Sequence, residues 1–200
     1  MQIRPEEEKD YFNVEKMVRD SFWNIYRPGA YEHYIVHNLR KDPSFVKKMA
    51  YVIEKDGEII GHINYSYGKI CREGKKPEKA LVLGPVSIHT NYQNMGYGSE
   101  LIEYTLNLTD DENIPFVFVI GDENYYKRFG FESASKYGLF LEGTDKNDEC
   151  PFFQIKTFKD CELEGGTFAN PNVFDVNESD VEEFDKKFEY KQKKVLEGQL

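Results

Sequence analysis

The chain has 200 residues, with 26 Lys+Arg against 36 Asp+Glu, a formal net charge of −10. That length suits one domain with a real core, and that charge works against nucleic acid or an anionic membrane as a partner. The hydrophobic fraction of 40% and the aromatic fraction of 15% separate the chain from disordered sequences. No stretch reaches the roughly 18 apolar residues a bilayer-spanning helix needs, and the run Met1-Gln2-Ile3-Arg4-Pro5 followed by glutamates is not a signal peptide. Cys71, Cys150 and Cys161 show no Cys-x-x-Cys spacing. They predict neither a disulfide framework nor a zinc site, and fit a reducing, cytoplasmic setting without a metal.

From the N-terminus, Phe12, Val14, Met17, Val18, Phe22 and Ile25 recur at spacings near three and four, predicting a helix over Glu6 to Tyr26. Pro28-Gly29 breaks it, and a second helix is expected over Ala30 to Lys41, before Pro43. The period then changes. Met49 to Glu54 and Ile59 to Tyr67 read as strands joined by a tight hairpin at Asp56-Gly57. Lys69 to Lys79 is basic, contains Gly and Pro, and reads as a surface loop. Ala80 to Ile88 is a strand interrupted by Gly84-Pro85, where a bulge or a free edge is expected because proline supplies no ladder donor.

A helix is expected from Tyr97 to Leu108 and a strand buried on both faces at Pro115 to Ile120. A short helix at Asn124 to Arg128 ends at Gly130. Pro151 to Lys156 is a clear strand, with weaker ones at Tyr137 to Leu141 and Asp160 to Leu163. The tail Glu178 to Leu200 is highly charged and predicts a solvated helix with i, i+4 pairs. Alternating helices and strands argue for one mixed α/β domain.

The chemistry concentrates in Leu81 to Ile102, where a strand runs into a loop holding Gly96 and Gly98 that opens a helix. Free N–H groups at a helix N-terminus bind phosphate, and glycine lets the backbone approach the ligand. Two other phosphate loops fail on counting. A dinucleotide fingerprint starting at Gly96 needs glycine at 101, which is Leu101. A Walker loop ending at Gly74-Lys75 needs glycine at 69 and Ser or Thr at 76, which are Lys69 and Lys76.

Gln93-Asn94-Met95-Gly96-Tyr97-Gly98 resembles the [Arg/Gln]-x-x-Gly-x-[Gly/Ala] motif of the GNAT superfamily of N-acetyltransferases. A bulged strand, Val86-Ser87-Ile88-His89, precedes it as in that family. Asn124-Tyr125-Tyr126-Lys127-Arg128-Phe129-Gly130-Phe131 follows at fitting distance and resembles the family's second signature. The resemblance covers roughly Met1 to Lys156. It implies a GNAT acyl-CoA N-acyltransferase fold: a central mixed twisted sheet flanked by helices and splayed at the bulged strand around residues 84–88. It divides the chain into an acetyltransferase domain at 1–160 and a C-terminal extension at 161–200, packed on that domain.

The resemblance further implies acetyl-CoA as co-substrate. Its pantetheine arm would pair with Val86, Ser87 and Ile88 like an added strand, and the thioester carbonyl would face the Ile88 backbone N–H as oxyanion donor. The pyrophosphate would sit on the amides of Asn94, Met95, Gly96, Tyr97, Gly98 and Ser99, with Gln93 at the entrance where many members have arginine. Tyr126 matches the tyrosine that protonates the leaving thiolate, a fitting role for a phenol with an unperturbed pKa near ~10. Tyr125 reads as packing, and Asn124 as a cofactor contact or a cap for the short helix.

The base is less clear. Some members carry a glutamate on the strand before the glycine loop, but Leu81 to Ile88 holds no carboxylate. His62 and His89 are the nominees, and a water chain to a more distant carboxylate is the other route. The basic loop (Lys69, Arg72, Lys75, Lys76, Lys79) is either a solvated loop or an attractor for the adenosine 3′-phosphate or an anionic substrate. The aromatics Phe22, Trp23, Tyr26, Tyr31 and Tyr34 are core packing or line the acceptor pocket. No Cys or Ser sits in a nucleophile setting, so a covalent acetyl-enzyme is not expected. The expected activity is therefore acetyl transfer to a primary amine of a small molecule in a ternary complex, with a homodimer admitted by the family. A non-catalytic acyl-CoA sensor and a protein or peptide N-acetyltransferase are the competing readings.

Overall fold

A computed structural model describes residues 1–111, 114–148, 150–158 and 163–199. Two compact units divide the chain, one of Met1–Asn64, Pro85–Leu101 and Asn172–Leu200, the other of Tyr65–Gly84 and Ile102–Pro171.

In the first unit, β1 (Gln2–Pro5) pairs antiparallel with β2 (Tyr51–Lys55), Ile3 opposite Ile53. β2 pairs in turn with β3 (Glu58–Cys71), Val52 opposite His62. Asp56 and Gly57 both take positive φ, as this two-residue turn requires. The first helix is shorter than its apolar period suggests. Residues 2–5 pair as a strand, and the Asp10 carboxylate accepts from Glu7 N–H at 2.9 Å and from Arg4 at 2.6 and 2.9 Å, closing a 3₁₀ turn at Glu8–Asp10. Only then does α1 (Tyr11–Phe22) start. It stops before residue 26 because Asn24 is left-handed, with φ +61°. Val14, Met17, Val18 and Phe22 of α1 pack with Val36 of α2 (Glu32–Leu39), Val52 and Ile59, an apolar stripe at helical spacing meeting one face of a sheet.

The charged tail is not the solvated helix its composition suggests. α5 (Glu178–Asp185) spans only two turns and buries Val181 and Phe184. Asp185 takes Arg19 of α1 in a two-point pair at 2.5 and 3.0 Å, and Lys191 reaches Asp20 at 2.8 Å. Past the helix the tail runs along the end of α1. Trp23 Nε1 donates to Gln192 O, Lys194 N to Asn24 Oδ1 and Gln199 Nε2 to Asn24 O. Phe188 stacks on Phe12 with ring centroids 5.6 Å apart.

In the second unit, β4 (Glu78–Ile88) runs parallel to β5 (Phe116–Ile120) over Leu81–Leu83. That pairing ends just before Gly84, whose φ of +131° strongly favours glycine. β5 pairs antiparallel with β8 (Phe153–Thr157), and β8 with the short β6 (Glu132–Ser133). β7 (Leu139–Leu141) pairs parallel with β9 (Gly166–Ala169), which pairs antiparallel with residues 69–71 of β3. The basic segment is therefore a shorter loop than expected, since 69–71 and 78–79 belong to strands. Phe118, Phe153 and Phe168 form the aromatic centre of this unit, 4.7 to 5.5 Å apart. Of the strand expected at 160–163, residues 160–162 lie outside the described ones, and the strand present is β9. α3 (Tyr97–Asp111) and α4 (Glu123–Tyr126) complete a mixed α/β protein whose mixed sheet is flanked by helices.

Candidate functional site

The glycine loop has the backbone its sequence anticipates. Asn94 (φ +61°) and Gly96 (φ +91°) are both left-handed, and together they turn the chain from the end of β4 into α3. A Cβ at Gly96 would meet nothing within 4 Å, so glycine is needed there for its φ and not for space. Residues 93–96 are exposed, Met95 at 64%. The first intrahelical bond runs from Glu100 N to Gly96 O at 3.0 Å. The N–H groups of Tyr97, Gly98 and Ser99 thus precede the helix's own ladder and point at the loop, with the dipole of a four-turn helix behind them.

Lys55, which nothing in the local sequence singles out, flanks this loop. Its Nζ donates to Tyr97 Oη at 3.0 Å and lies over the rings of Tyr92 (5.2 Å) and Tyr97 (5.4 Å). A cation is thus held beside an anion-ready helix terminus in a chain that is acidic overall.

The end of β4 is pinned through one carbonyl. Ile88 O accepts from Gln93 Nε2 at 3.1 Å and lies 2.8 Å from Ser21 Oγ of α1, which shares its proton with Met17 O. The next amide, His89 N, donates to Ile60 O at 2.9 Å. Gln93 thus orients the strand end as well as standing at the loop entrance. Ser87 is buried, and its hydroxyl has no hydrogen-bond partner among the described residues.

The two histidines differ sharply. His89 caps a 3₁₀ turn at Thr90–Tyr92: its Nδ1 accepts from Asn91 N at 3.2 Å, and its Nε2 is 3.7 Å from Glu58. His62 is fully buried, not half-buried as its strand position suggests. Its Nε2 lies 3.4 Å from Glu6 Oε1. Burial alone would raise the Glu6 carboxyl, but the opposing charges of His62 and Arg40 hold it down at about 2. Glu6 was not legible as a site residue, because its partners lie 34 and 56 positions away.

In the second unit, Tyr126 ends α4 and is 8% exposed. Its ring meets Tyr125 (5.1 Å) and Phe131 (5.7 Å) edge-on. A Cβ at Gly121 would overlap that ring, so this glycine makes the room Tyr126 occupies. The helix is capped by Asp122, whose Oδ1 accepts from Asn124 N at 3.0 Å, so Asn124 is the donor of the cap and not the capping side chain. The exposed Asn124 side chain stands in the first turn. Tyr125 packs as expected, with Arg128 over its ring at 4.4 Å.

Two of the basic-loop cations are engaged locally. Arg72 pairs with Glu78 at 2.7 Å and donates to Glu164 O at 2.9 Å, and Lys75 pairs with Glu164 at 2.6 Å. Lys79 lies over Tyr67. Among the described residues no group of His, Cys, Asp and Glu is placed to hold a metal ion, and no helix is long and apolar enough to cross a membrane.

A left-handed Asn-x-Gly loop between β4 and α3, with an aromatic-rich Tyr-Tyr helix after β5, defines an acyl-CoA acyltransferase class of protein. The model of the Acetyltransferase (GNAT) family matches residues 12–131, and the chain belongs to that family. It is 26% identical over 169 residues to the uncharacterised N-acetyltransferase YhbS of Escherichia coli K12, covering 84% of this chain and 93% of that one. The crystal structure of E. coli YhbS in complex with CoA shares the fold, at a TM-score of 0.75 and 24% identity over 88% of this chain and 92% of that one. A GNAT family acetyltransferase from Brucella melitensis in complex with acetyl-CoA superimposes at 0.70, with 26% identity over 86% of this chain and 97% of that one.

Proposed function

We propose that this protein transfers the acetyl group of acetyl-CoA to a primary amine of a small molecule by direct attack in a ternary complex. The observation that carries the reading is the exposed loop at 93–96, whose left-handed Asn94 and Gly96 leave the first amides of α3 open to a diphosphate. The complexes of the two structural relatives with CoA and acetyl-CoA support the same ligand here.

In this scheme the pantetheine arm lies along Val86, Ser87 and Ile88, and the pyrophosphate on the amides of residues 94–99. Ile88 N–H is the donor to the thioester oxygen as it gains charge. Tyr126 protonates the departing thiolate, and Asn124 contacts the cofactor. His62 and His89 are the candidate bases in the first unit. The family match over residues 12–131 supports reading 1–160 as the acetyltransferase domain and 161–200 as its extension. The acidic balance and the sparse cysteines support a cytoplasmic enzyme without nucleic-acid partners, and a homodimer belongs to the same reading.

The test is release of free thiol from acetyl-CoA with amines, polyamines, amino acids and basic peptides as acceptors. Turnover with a small amine is the expected result. Turnover with basic peptides alone would make the protein a peptide acetyltransferase. Tight CoA binding with no thiol release would favour a sensor, a reading whose one support is the absence of any carboxylate in Leu81 to Ile88.

A further inference from the structure

Lys55 and Glu58 stand directly opposite each other at the mouth of the β2–β3 hairpin. Opposite charges in that position ordinarily pair across the strands. Here they are turned apart, onto the segment that links β4 to α3. Glu58 accepts from Tyr92 Oη at 3.4 Å and lies 3.7 Å from His89 Nε2. Lys55 Nζ donates to Tyr97 Oη at 3.0 Å. The Tyr92 ring serves both: its centroid is 5.2 Å from the ammonium, and its hydroxyl meets the carboxylate. The negative charge is thus drawn to the start of the segment, and the positive charge to its end, at the first residue of α3.

The ammonium keeps donors to spare. It has three protons and no acceptor. One proton goes to Tyr97 Oη, and among the described residues no other acceptor is within hydrogen-bond distance and no carboxylate within 4 Å. Because Lys55 can only donate, the Tyr97 hydroxyl retains its own proton, which also has no acceptor there. The Tyr97 ring, with its centroid at 5.4 Å, is the second aromatic face that holds the cation. The Tyr97 hydroxyl also raises the lysine above its ordinary value, so it is charged at neutral pH. Gln93, where many family members carry arginine, brings no charge, and its amide is engaged by Ile88 O.

The ammonium and the helix amides occupy different places. The amides of residues 97–99 stand at the end of the helix axis. Lys55 is tied to the far end of the Tyr97 side chain, off that axis. Acetyl-CoA carries, besides its pyrophosphate, a separate phosphate on the ribose. The basic loop, the other candidate for that group, commits Arg72 and Lys75 to Glu78 and Glu164.

We propose that Lys55 and the Tyr97 hydroxyl together bind the 3′-phosphate of acetyl-CoA, and that Tyr92 positions the ammonium and keeps it from Glu58. This deepens the function proposed above and rests on it. The phosphate accepts from the spare Lys55 protons and from the Tyr97 O–H in charge-assisted hydrogen bonds. The site therefore distinguishes CoA from 3′-dephospho-CoA, while the amides of α3 bind the pyrophosphate of either.

The test is calorimetric titration of CoA and 3′-dephospho-CoA into wild type, Lys55→Met, Lys55→Arg and Tyr97→Phe. Wild type should bind CoA about tenfold more tightly than dephospho-CoA, and that preference should shrink as salt is added. Lys55→Met should weaken CoA about tenfold and leave dephospho-CoA within about twofold, so that the preference disappears. Lys55→Arg should keep the preference, and Tyr97→Phe should lose roughly threefold for CoA alone. An unchanged CoA affinity in Lys55→Met, or an equal loss for both ligands, overturns the proposal; the equal loss would put the cation on the pyrophosphate. Wild-type protein that binds both ligands equally overturns it as well. Wild-type protein that binds neither defeats the proposed function instead.

Discussion

Glu6 shows how a single residue couples folding to pH. Its carboxyl is held at about 2 in the fold, against 4.5 for the free group. A depressed acid contributes stability that is complete above the unfolded value and lost as pH falls through the folded one. The protein should therefore lose on the order of 3 kcal/mol of stability between about pH 4.5 and 2 through this residue alone. Glu6→Gln should flatten that acid limb in urea unfolding curves, and an unchanged limb would show that Arg40 does not need this carboxylate. Tyr126 carries a second prediction. Tyr126→Phe keeps the ring's packing against Phe131 and removes only the hydroxyl, so kcat should fall about 100-fold with acetyl-CoA affinity retained. Unchanged turnover would end its assignment as proton donor. Neither environment is legible in the sequence. Tyr126 announces itself through its motif, but the glycine that admits its ring does so only in three dimensions, and Glu6 meets Arg40 and His62 only after the chain has folded.

At the scale of elements, strong local patterns are legible in the sequence. The hairpin at Asp56-Gly57, the apolar run of β5 and the Gly-x-Gly opening of α3 each carry a chemical reason at short range. β1 and β9 were not legible, being four-residue strands with little alternation, recruited by neighbours distant in sequence. The tail is the clearest lesson. Val181, Phe184 and Phe188 keep a helical spacing, yet the surrounding charges hide it, and two of those charges, Asp185 and Lys191, have partners on α1. Arg19 is fully buried beneath Trp23 (4.2 Å) and paired with Asp185. Burial would raise the Asp185 carboxyl, but His33 and Arg19 hold it well below the usual carboxylate range. Asp185→Asn should cost about 3 kcal/mol by stranding a buried guanidinium. Urea unfolding measures it, and a loss below about 0.5 kcal/mol would mean that the tail is only loosely attached.

For the whole molecule, the net charge of −10 works against anionic partners by long-range repulsion, but the proposed co-substrate is itself a polyanion. The resolution is local. Backbone amides at residues 94–99 carry partial positive charge that composition does not count, and Lys55 is stationed on Tyr92 and Tyr97 beside them. The basic loop, the obvious place to look in the sequence, instead spends Arg72 and Lys75 on Glu78 and Glu164. On the proposed function, binding of a polyanion by this acidic chain depends on the backbone geometry of one loop. The most direct measurement is calorimetric titration of acetyl-CoA into wild type and Gly96→Val. Gly96 has open space above it but a φ of +91° that a β-branched residue does not tolerate. Wild type should bind, and Gly96→Val should bind at least tenfold more weakly while unfolding at a similar urea concentration. Equal affinity in the two proteins would contradict the placement of the cofactor on this loop.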